Sequence, residues 1–282
     1  DTKRILIIYM CSKLPKEQIP AVHRIIVIGD IHGDSKALES ALILAGVINR
    51  KWQWIGGQTH IVQVGDIMDR ANRYPGLHGD EASERKIIDN LIRLKSMAHQ
   101  HGGDVHLLLG NHELMNVYGD FRYVSKLGME DFGGISGRRS AFKPGGKYAI
   151  KLACNLNAVV QIGSWLFSHA GVTTTVSSRF TLRELNRHIR DHLLGNHVMN
   201  DELNDMFWHR KYNSEDSCGD VHTVLSNWKA KNMAIGHTVQ DDITGICDGK
   251  VWKVDVGMSG AFGKRKIAVL EIIDDTKVRI LS

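Results

Sequence analysis

The chain has 282 residues, of which 43% are hydrophobic and 24% charged, as expected of a soluble globular protein. Its length favours a single domain over residues 1–282, with two smaller domains as the alternative. The formal net charge of +5 is small for a nucleic-acid-binding protein, so no nucleic acid binding is expected. No run of 18 apolar residues occurs, so no membrane span is expected either. The mild positive charge suits an anionic substrate.

Five short apolar runs each lead into a residue that can bind a metal or a proton. The runs cover residues 24–28, 60–64, 105–109, 165–167 and 233–235. The residues that follow them are Asp30, Asp66, Asn111, His169 and His237. Near-continuous apolar runs predict strands buried on both faces, and ligands of layered α/β folds bind beyond the carboxyl ends of strands. We therefore predict one site assembled from five strand ends.

Helices are predicted between these strands. Apolar spacing indicates helices over residues 37–47, 83–101 and 181–194, the last opened by a Thr181–Glu184 capping box. The tail from Trp252 to Ile280 predicts alternating strands that close a sheet. Two glycine-rich segments, residues 70–80 and 133–146, are expected to be loops.

The first two clusters favour metal and phosphate chemistry. Asp30 and His32 are two residues apart on a predicted tight turn, where a carboxylate and an imidazole can bind one divalent cation. In the second cluster, Asp66 can bridge two metals and Arg70 offers a guanidinium fork to phosphate oxygens. The structural alternatives are a turn in which Asp34 caps the next helix, and a surface Asp–Arg ion pair.

The remaining clusters supply further ligands and an acid. Asn111 can bind a metal through its side-chain oxygen, and His112 beside it can protonate a leaving group. Single histidines such as His169 and His237 are more often structural. Their value lies in their position after apolar strands, which all five clusters share.

The four cysteines lie at positions 11, 154, 218 and 247, without any C-x-x-C pair. A thiolate zinc site is therefore not expected. We interpret them as free thiols in a reducing compartment, which predicts a cytoplasmic location.

The motifs together resemble a known family. D-x-H, G-D-x-x-D-R, G-N-H-E, H-A-G and G-H-T occur in this order between Asp30 and Thr238. In this order they are similar to the calcineurin-like metallophosphoesterase superfamily, and G-N-H-E resembles its phosphoprotein phosphatase (PPP) family. Segments such as Phe207-Trp208-His209-Arg210 look most like the Shewanella-like protein phosphatases. The core motifs cover residues 24–240. Ala71 departs from the glycine usual at that position.

The resemblance implies a fold and a mechanism. The expected fold is a four-layer α/β β-sandwich flanked by helices, with a dinuclear metal site at the carboxyl ends of strands. Two divalent ions, Mn, Fe or Zn, would activate a bridging hydroxide. The expected metal ligands are Asp30, His32, Asp66, Asn111, His169 and His237. His112 would be the acid, oriented by Asp69, while Arg70, Arg210 and Asn111 would bind the substrate.

The expected function is metal-dependent phosphomonoester hydrolysis, on a phosphorylated protein or a small phosphoester. A preference for phosphotyrosine is implied by the subgroup alone. Residues 70–80 and 133–146 could raise a wall around the metals, with Tyr74 or Phe142 packing on a substrate ring. The alternative is a diadenosine-polyphosphate or cap-like nucleotide hydrolase, which would need a stacking aromatic such as Tyr74, Tyr118 or Trp208. A regulatory subunit is not predictable from this sequence.

Overall fold

A computed structural model describes residue 11 and residues 14–71, 79–263 and 266–282. The strands are β1 Gln18–Ile19, β2 Arg24–Ile28, β3 His60–Gln63, β4 Asp104–Leu108, β5 Leu156–Asn157, β6 Val159–Ile162, β7 Trp165–Ser168, β8 Asn232–Ile235, β9 Thr244–Ile246, β10 Val251–Lys253, β11 Val269–Ile273 and β12 Lys277–Leu281. The helices are α1 Ser35–Leu44, α2 Glu84–His99, α3 Asn111–Tyr118, α4 Lys126–Glu130, α5 Gly134–Phe142, α6 Lys147–Asn155, α7 Thr174–Arg179, α8 Leu182–Leu193, α9 Asp201–Asp205 and α10 Cys218–Asn227. Short 3-10 helices cover Lys211–Asn213, Glu215–Ser217 and Gly260–Phe262.

These strands form two six-stranded sheets. One has the order β1-β6-β7-β8-β10-β9 and the other β12-β11-β2-β3-β4-β5. Strands β2, β3 and β4 run parallel, as do β7 and β8, so their carboxyl ends lie at common edges. All five predicted apolar runs are strands, and the predicted tail strands pair with them through β10 and β11.

The hydrophobic core lies between the two sheets, with helices outside them. Buried side chains from both sheets, including Val27, Val62 and Leu166, belong to one continuous apolar cluster. Helix α2 packs on β4 of one sheet and α8 packs on β6 of the other. This order of helix, sheet, sheet and helix confirms the predicted layered α/β architecture.

Local sequence signals explain where the helices begin. Asp34 caps α1 by accepting a hydrogen bond from the Ala37 amide. Thr181 and Glu184 form the predicted capping box of α8. In α2, the buried stripe of Ile87, Leu91, Leu94 and Ala98 is the predicted one.

The prediction of a loop over residues 133–146 is wrong. Helix α5 occupies most of this segment, with Arg138 and Phe142 fully buried four residues apart on one face. The glycines mark the beginning of the helix, where Gly133 and Gly134 have φ of 78° and 81°. Residues 72–78 of the other predicted loop, including Tyr74, lie outside the described residues.

The prediction of four free thiols is also wrong. Cys11 pairs with Cys154 and Cys218 pairs with Cys247, so all four cysteines are in disulfides. Sequence spacing gave no sign of this, because the first pair is separated by 143 residues. The argument for a cytoplasmic location therefore loses its ground. Within the described residues, no helix combines the length and apolarity needed to cross a bilayer.

Two histidines are buried side by side, His60 at the start of β3 and His106 in the middle of β4. His60 Nδ1 lies 3.0 Å from His106 Nε2, and His106 is only 4% exposed. Burial is the main cause that lowers the pKa of His106 to about 3, even though Asp104 nearby opposes it. His106 is therefore neutral in the folded protein throughout the mildly acidic range.

This neutral histidine should make folding stability fall with acid. Below its ordinary pKa near 6.5, the unfolded chain binds a proton that folded His106 cannot, so the stability present above pH 6.5 is lost as the pH falls towards 3. Between pH 7 and pH 5 wild type should lose about 2 kcal/mol more than His106→Leu. Urea unfolding at both pH values measures this. His222→Leu, at an exposed position, should keep the wild-type slope. An equal loss of unfolding free energy between pH 7 and pH 5 in wild type and His106→Leu would contradict the lowered pKa of His106.

Candidate metal centre and active site

The five strand ends meet in one place. Two groups of side chains there have ligand atoms within 4.8 Å of one another: His32, Asp66 and His112 in one, and Asp66, His169 and His237 in the other. Asp66 belongs to both groups. A carboxylate common to two ligand groups is the arrangement a bridging ligand needs.

The distances around Asp66 fit a space for cations. Asp66 Oδ2 lies 3.8 Å from His32 Nε2, 3.3 Å from His169 Nε2 and 3.9 Å from His112 Nε2. Asp30 Oδ2 is 3.9 Å from the same nitrogen of His32. The Asn111 side-chain oxygen is 2.9 Å from His169 Nε2. All six predicted metal ligands thus lie together.

Backbone contacts fix the orientation of the histidines. His169 Nδ1 lies 2.9 Å from the Val64 carbonyl oxygen, and His32 Nδ1 is 3.2 Å from that of Met68. Such contacts turn Nε2 of each ring towards the Asp66 carboxylate. His237 differs, because its Nε2 is 3.0 Å from the Trp208 carbonyl oxygen, while its amide donates to Asp30.

The turns that carry these residues are strained. His32, Asp66, Asp69 and His237 have positive φ, between 43° and 71°. Non-glycine residues rarely adopt this region, and each such residue costs on the order of 1–3 kcal/mol. The glycine before Asn111 answers a different constraint: a Cβ on Gly110 would meet Asp66 Oδ1 at 2.1 Å.

The Glu113 carboxylate holds two of these turns together. Its oxygens accept hydrogen bonds from the backbone amides of Asp66, Ile67, Met68 and Gly110 at 2.7–3.2 Å. The side chain is fully buried. One carboxylate therefore fixes the strand end carrying Asp66 against the one carrying Asn111.

The buried carboxylates of the site favour the binding of cations. Burial raises the pKa of Asp30 well above its usual value, and Asp255 and Asp66 raise it further. Burial likewise raises the pKa of Asp255 to about 6. Its Oδ2 accepts no hydrogen bond from the described residues. Burial acts to raise the pKa of Asp66 too, but His169 and His112 outweigh it and hold that pKa well below its usual value. Crowded buried carboxylates of this kind suit hard or borderline divalent cations.

The predicted proton donor, His112, forms a close pair with Asp69. His112 Nδ1 is 2.7 Å from Asp69 Oδ2, and both side chains are buried. Asn116 donates to the other oxygen of Asp69 at 2.8 Å. Because Nδ1 faces Asp69, His112 Nε2 is turned towards the ligand groups and Asp66.

A cavity of about 410 Å³ opens onto this site. Predicted metal ligands, the predicted proton donor His112 and an aromatic rim of Tyr123, Trp208 and Phe262 line it. The full lining is His32, Asp66, Asn111, His112, Tyr123, Trp208, Arg210, His237, Thr238, Val239, Asp255 and Phe262. Arg210 is exposed there, and its Nη1 donates to the His237 carbonyl oxygen and to Thr238 Oγ1. Its guanidinium is therefore already held at the mouth of the site.

Two predicted residues lie elsewhere. Arg70 does not line the cavity: its guanidinium is 1% exposed, 3.2 Å from Asp34 Oδ2 and bonded to Ser259 Oγ. Phe142 is buried in the core between Phe132 and Tyr148, so it cannot pack on a substrate. The expected contact of Phe142 with a substrate ring is therefore wrong.

Sequence reasoning missed the residues that support the site. Glu113 has no predicted role beyond its place in the G-N-H-E motif. A glutamate three residues after a strand-end glycine is nevertheless a recognisable helix-capping position. Asp255 follows a predicted strand in the tail, as the ligands do. Glu84 and Arg138 gave no signal, because their partners become visible only when α2 and α5 are placed beside Asp69.

Replacing Glu113 by Gln should destabilise the protein. Glutamine offers one acceptor oxygen, so some of the four amides would face its amino group. We expect a loss of at least ~2 kcal/mol, since buried donors left unsatisfied cost about 1–3 kcal/mol each. Urea unfolding with bound metal at pH 8 measures it, above the raised pKa of about 7 that burial gives Glu113. Glu184→Gln, in the exposed capping box, should cost much less, because water can replace the lost hydrogen bonds. Equal losses in both variants would contradict the role.

Comparison with known proteins agrees with this geometry. The calcineurin-like phosphoesterase family model matches residues 23–242. Shewanella-like protein phosphatase 2 of Arabidopsis thaliana is 30% identical over 92% of this chain and 77% of its own length. Shewanella-like protein phosphatase 1 of Plasmodium berghei is 29% identical over 84% of this chain and 67% of its own.

A solved structure has the same fold. The crystal structure of a cold-active protein-tyrosine phosphatase from a psychrophilic Shewanella species superposes with a TM-score of 0.75 at 24% identity, covering 96% of this chain and 83% of that one. The matched region contains all five motifs, and the residues they contribute meet around Asp66. The resemblance predicted from the motifs is confirmed: the chain belongs to the calcineurin-like phosphoesterase family, whose members are metal-dependent phosphoesterases.

Proposed function

We propose that this protein is a protein phosphatase that hydrolyses phosphomonoesters with two divalent cations, within one domain spanning residues 1–282. The observation that carries the proposal is the pair of buried ligand groups that share Asp66. The named phosphatases among its relatives support a phosphorylated protein as the substrate.

Six side chains would hold the cations. Asp30 and His32 would bind the first, Asp66 would bridge, and a separate group would bind the second: Asn111, His169 and His237. The crowded carboxylates support this assignment, as does the Asp255 oxygen that has no hydrogen-bond partner among the described residues. Oxygen and nitrogen donors suit Mn, Fe or Zn. When bound, such cations acidify a water molecule and neutralise phosphate charge.

The protein's own groups would supply the rest of the reaction. Arg210, held at the cavity mouth by Thr238, can bind the phosphate oxygens. His112 can donate a proton from Nε2 to the departing alcohol, while Asp69 fixes its ring. Phosphate binding by Arg70 stays a prediction, because its side chain would first have to leave Asp34.

A phosphotyrosine side chain fits the shape of the cavity. The groups that would contact phosphate are recessed, since Asp66, Asn111 and His112 are at most 7% exposed. Above them, Tyr123 contacts the His112 ring, Phe262 contacts the His32 ring, and Trp208 lines the mouth. A tyrosine ring reaches a recessed phosphate site better than a serine and would bury apolar area against this rim, worth about 1–3 kcal/mol.

The nucleotide hydrolase is not favoured. The named relatives are protein phosphatases. Of its proposed stacking residues, Trp208 lines the cavity, Tyr118 does not, and Tyr74 lies outside the described residues. Comparing the rates at which the protein hydrolyses a dinucleoside polyphosphate and a phosphopeptide would distinguish the two functions.

Removing the shared carboxylate should remove both metals. After Mn addition, wild type should hold about two metal ions per chain by elemental analysis, and Asp66→Asn should hold far fewer and lose nearly all phosphatase activity. Asp89→Asn, an exposed position on α2, should behave like wild type. A fully active protein with one metal would overturn the two-metal proposal.

The aromatic rim should set the substrate preference. We expect kcat/KM for phosphotyrosine peptides to exceed that for phosphoserine peptides at least tenfold, about 1.4 kcal/mol. Trp208→Ala and Tyr123→Ala should narrow this ratio, because each removes part of the rim. Tyr118→Ala, exposed but outside the cavity, serves as the matched control and should leave it unchanged. Equal turnover of both peptides by wild type would rule out a recessed phosphotyrosine site.

A further inference from the structure

We propose that Arg138 is a positioning residue for the proton donor: it holds Asp69, and through Asp69 it fixes the ring of His112. This inference rests on the acid role of His112 in the proposed function. Arg138 itself does not line the cavity and touches no expected metal ligand.

Arg138 uses its guanidinium fork fully inside the protein. Its side chain is 0% exposed. Nε donates to Asn116 Oδ1 at 2.6 Å, Nη1 to the Gly128 carbonyl oxygen at 2.8 Å, and Nη2 lies 2.7 Å from Glu84 Oε2 and 3.2 Å from Asp69 Oδ1. Such multiple contacts fix a planar group in one orientation.

Arg138 and two of its partners, Asn116 and Glu84, all contact Asp69. Its Oδ2 faces His112, while its Oδ1 accepts from both Arg138 and Asn116. Its backbone amide donates to Glu84 Oε1 at 2.8 Å. Asp69 is therefore held at both carboxylate oxygens and at its amide, although its φ of 71° is strained.

The surroundings of Arg138 make this arrangement rigid. Its guanidinium lies 4.9 Å from the Phe132 ring centroid and 5.4 Å from that of Phe142, so an aromatic shell excludes water from it. Removing the cation would leave Asp69 and Glu84 as neighbouring buried carboxylates without their shared partner. Asp69 would then rotate, and the His112 ring would lose its fixed orientation.

The test compares leaving groups. His112→Asn should lower kcat by roughly 10²–10⁴ for a poor leaving group such as an alkyl phosphate, and much less for nitrophenyl phosphate, which needs little protonation. Arg138→Gln should show the same pattern at smaller size, roughly 10–100-fold for the alkyl ester and under about threefold for nitrophenyl phosphate, with KM and metal content unchanged. In the His112→Asn background, Arg138→Gln should cause no further loss, because the two act in series.

A matched control separates positioning from simple structural damage. Arg190, on α8, is another buried arginine, and its hydrogen bonds go to the Asn157 side chain and the Ala153 carbonyl oxygen. Arg190→Gln should lower the melting temperature but leave the kcat ratio of the two substrates at its wild-type value. Equal loss on both substrates in Arg138→Gln, or a further loss in the double variant, would overturn the inference.

A second variant keeps the test usable if Arg138→Gln does not fold. Asn116→Ala removes the other donor to Asp69 Oδ1 and leaves the arginine charge in place. Asn116→Ala should also lose more kcat for the alkyl phosphate than for nitrophenyl phosphate. An equal loss of kcat for both substrates would overturn the inference. If wild type hydrolyses no phosphomonoester, or His112→Asn loses both substrates equally, the proposed function fails instead.

Discussion

The Glu113 carboxylate is the interaction on which the rest of this site depends. It accepts four backbone hydrogen bonds from the turns that carry Asp66 and Asn111, and it does so without exposure to solvent. Neither turn has a regular secondary-structure partner for those amides, so the cost of burying them falls on one side chain. The positions of Asp66 and Asn111 are thus set by a residue that is not among those lining the cavity.

The same region contains several features that raise the free energy of the folded state, and the rest of the fold must offset them. Four site residues have left-handed backbone conformations, and the buried carboxylates of Asp30, Asp66 and Asp255 repel one another. The large apolar core between the two sheets stabilises the fold against these costs. Bound cations would relieve the repulsion between carboxylates, so metal binding and folding stability should be coupled in this protein.

The sequence predicts the candidate ligands that the structure brings together, but not the residues that hold them in place. The apolar runs before Asp30, Asp66 and Asn111 announce their strands, because periodicity and strand-end position are local signals. Arg138 lies in a glycine-rich, basic segment that resembles a solvated loop, and only the placement of α5 against Asp69 reveals its burial. The two disulfides were missed for a related reason, since pairing across 143 residues leaves no local pattern.

The place of β2 in its sheet has a consequence for how the chain is made. β2 leads into the turn with Asp30 and lies between β3 and β11 in the sheet. The residues of β11 follow their partners in β2 by more than 240 positions in the sequence. Until residues 269–273 emerge from the ribosome, one edge of a strand that is apolar from Ile25 to Ile28 lacks its partner strand. An open hydrophobic edge of this kind readily pairs with other chains. Nascent chains of this protein should therefore depend on chaperone protection during synthesis, and variants that delay β11 should aggregate although all the predicted ligands, which precede β11, have already been translated.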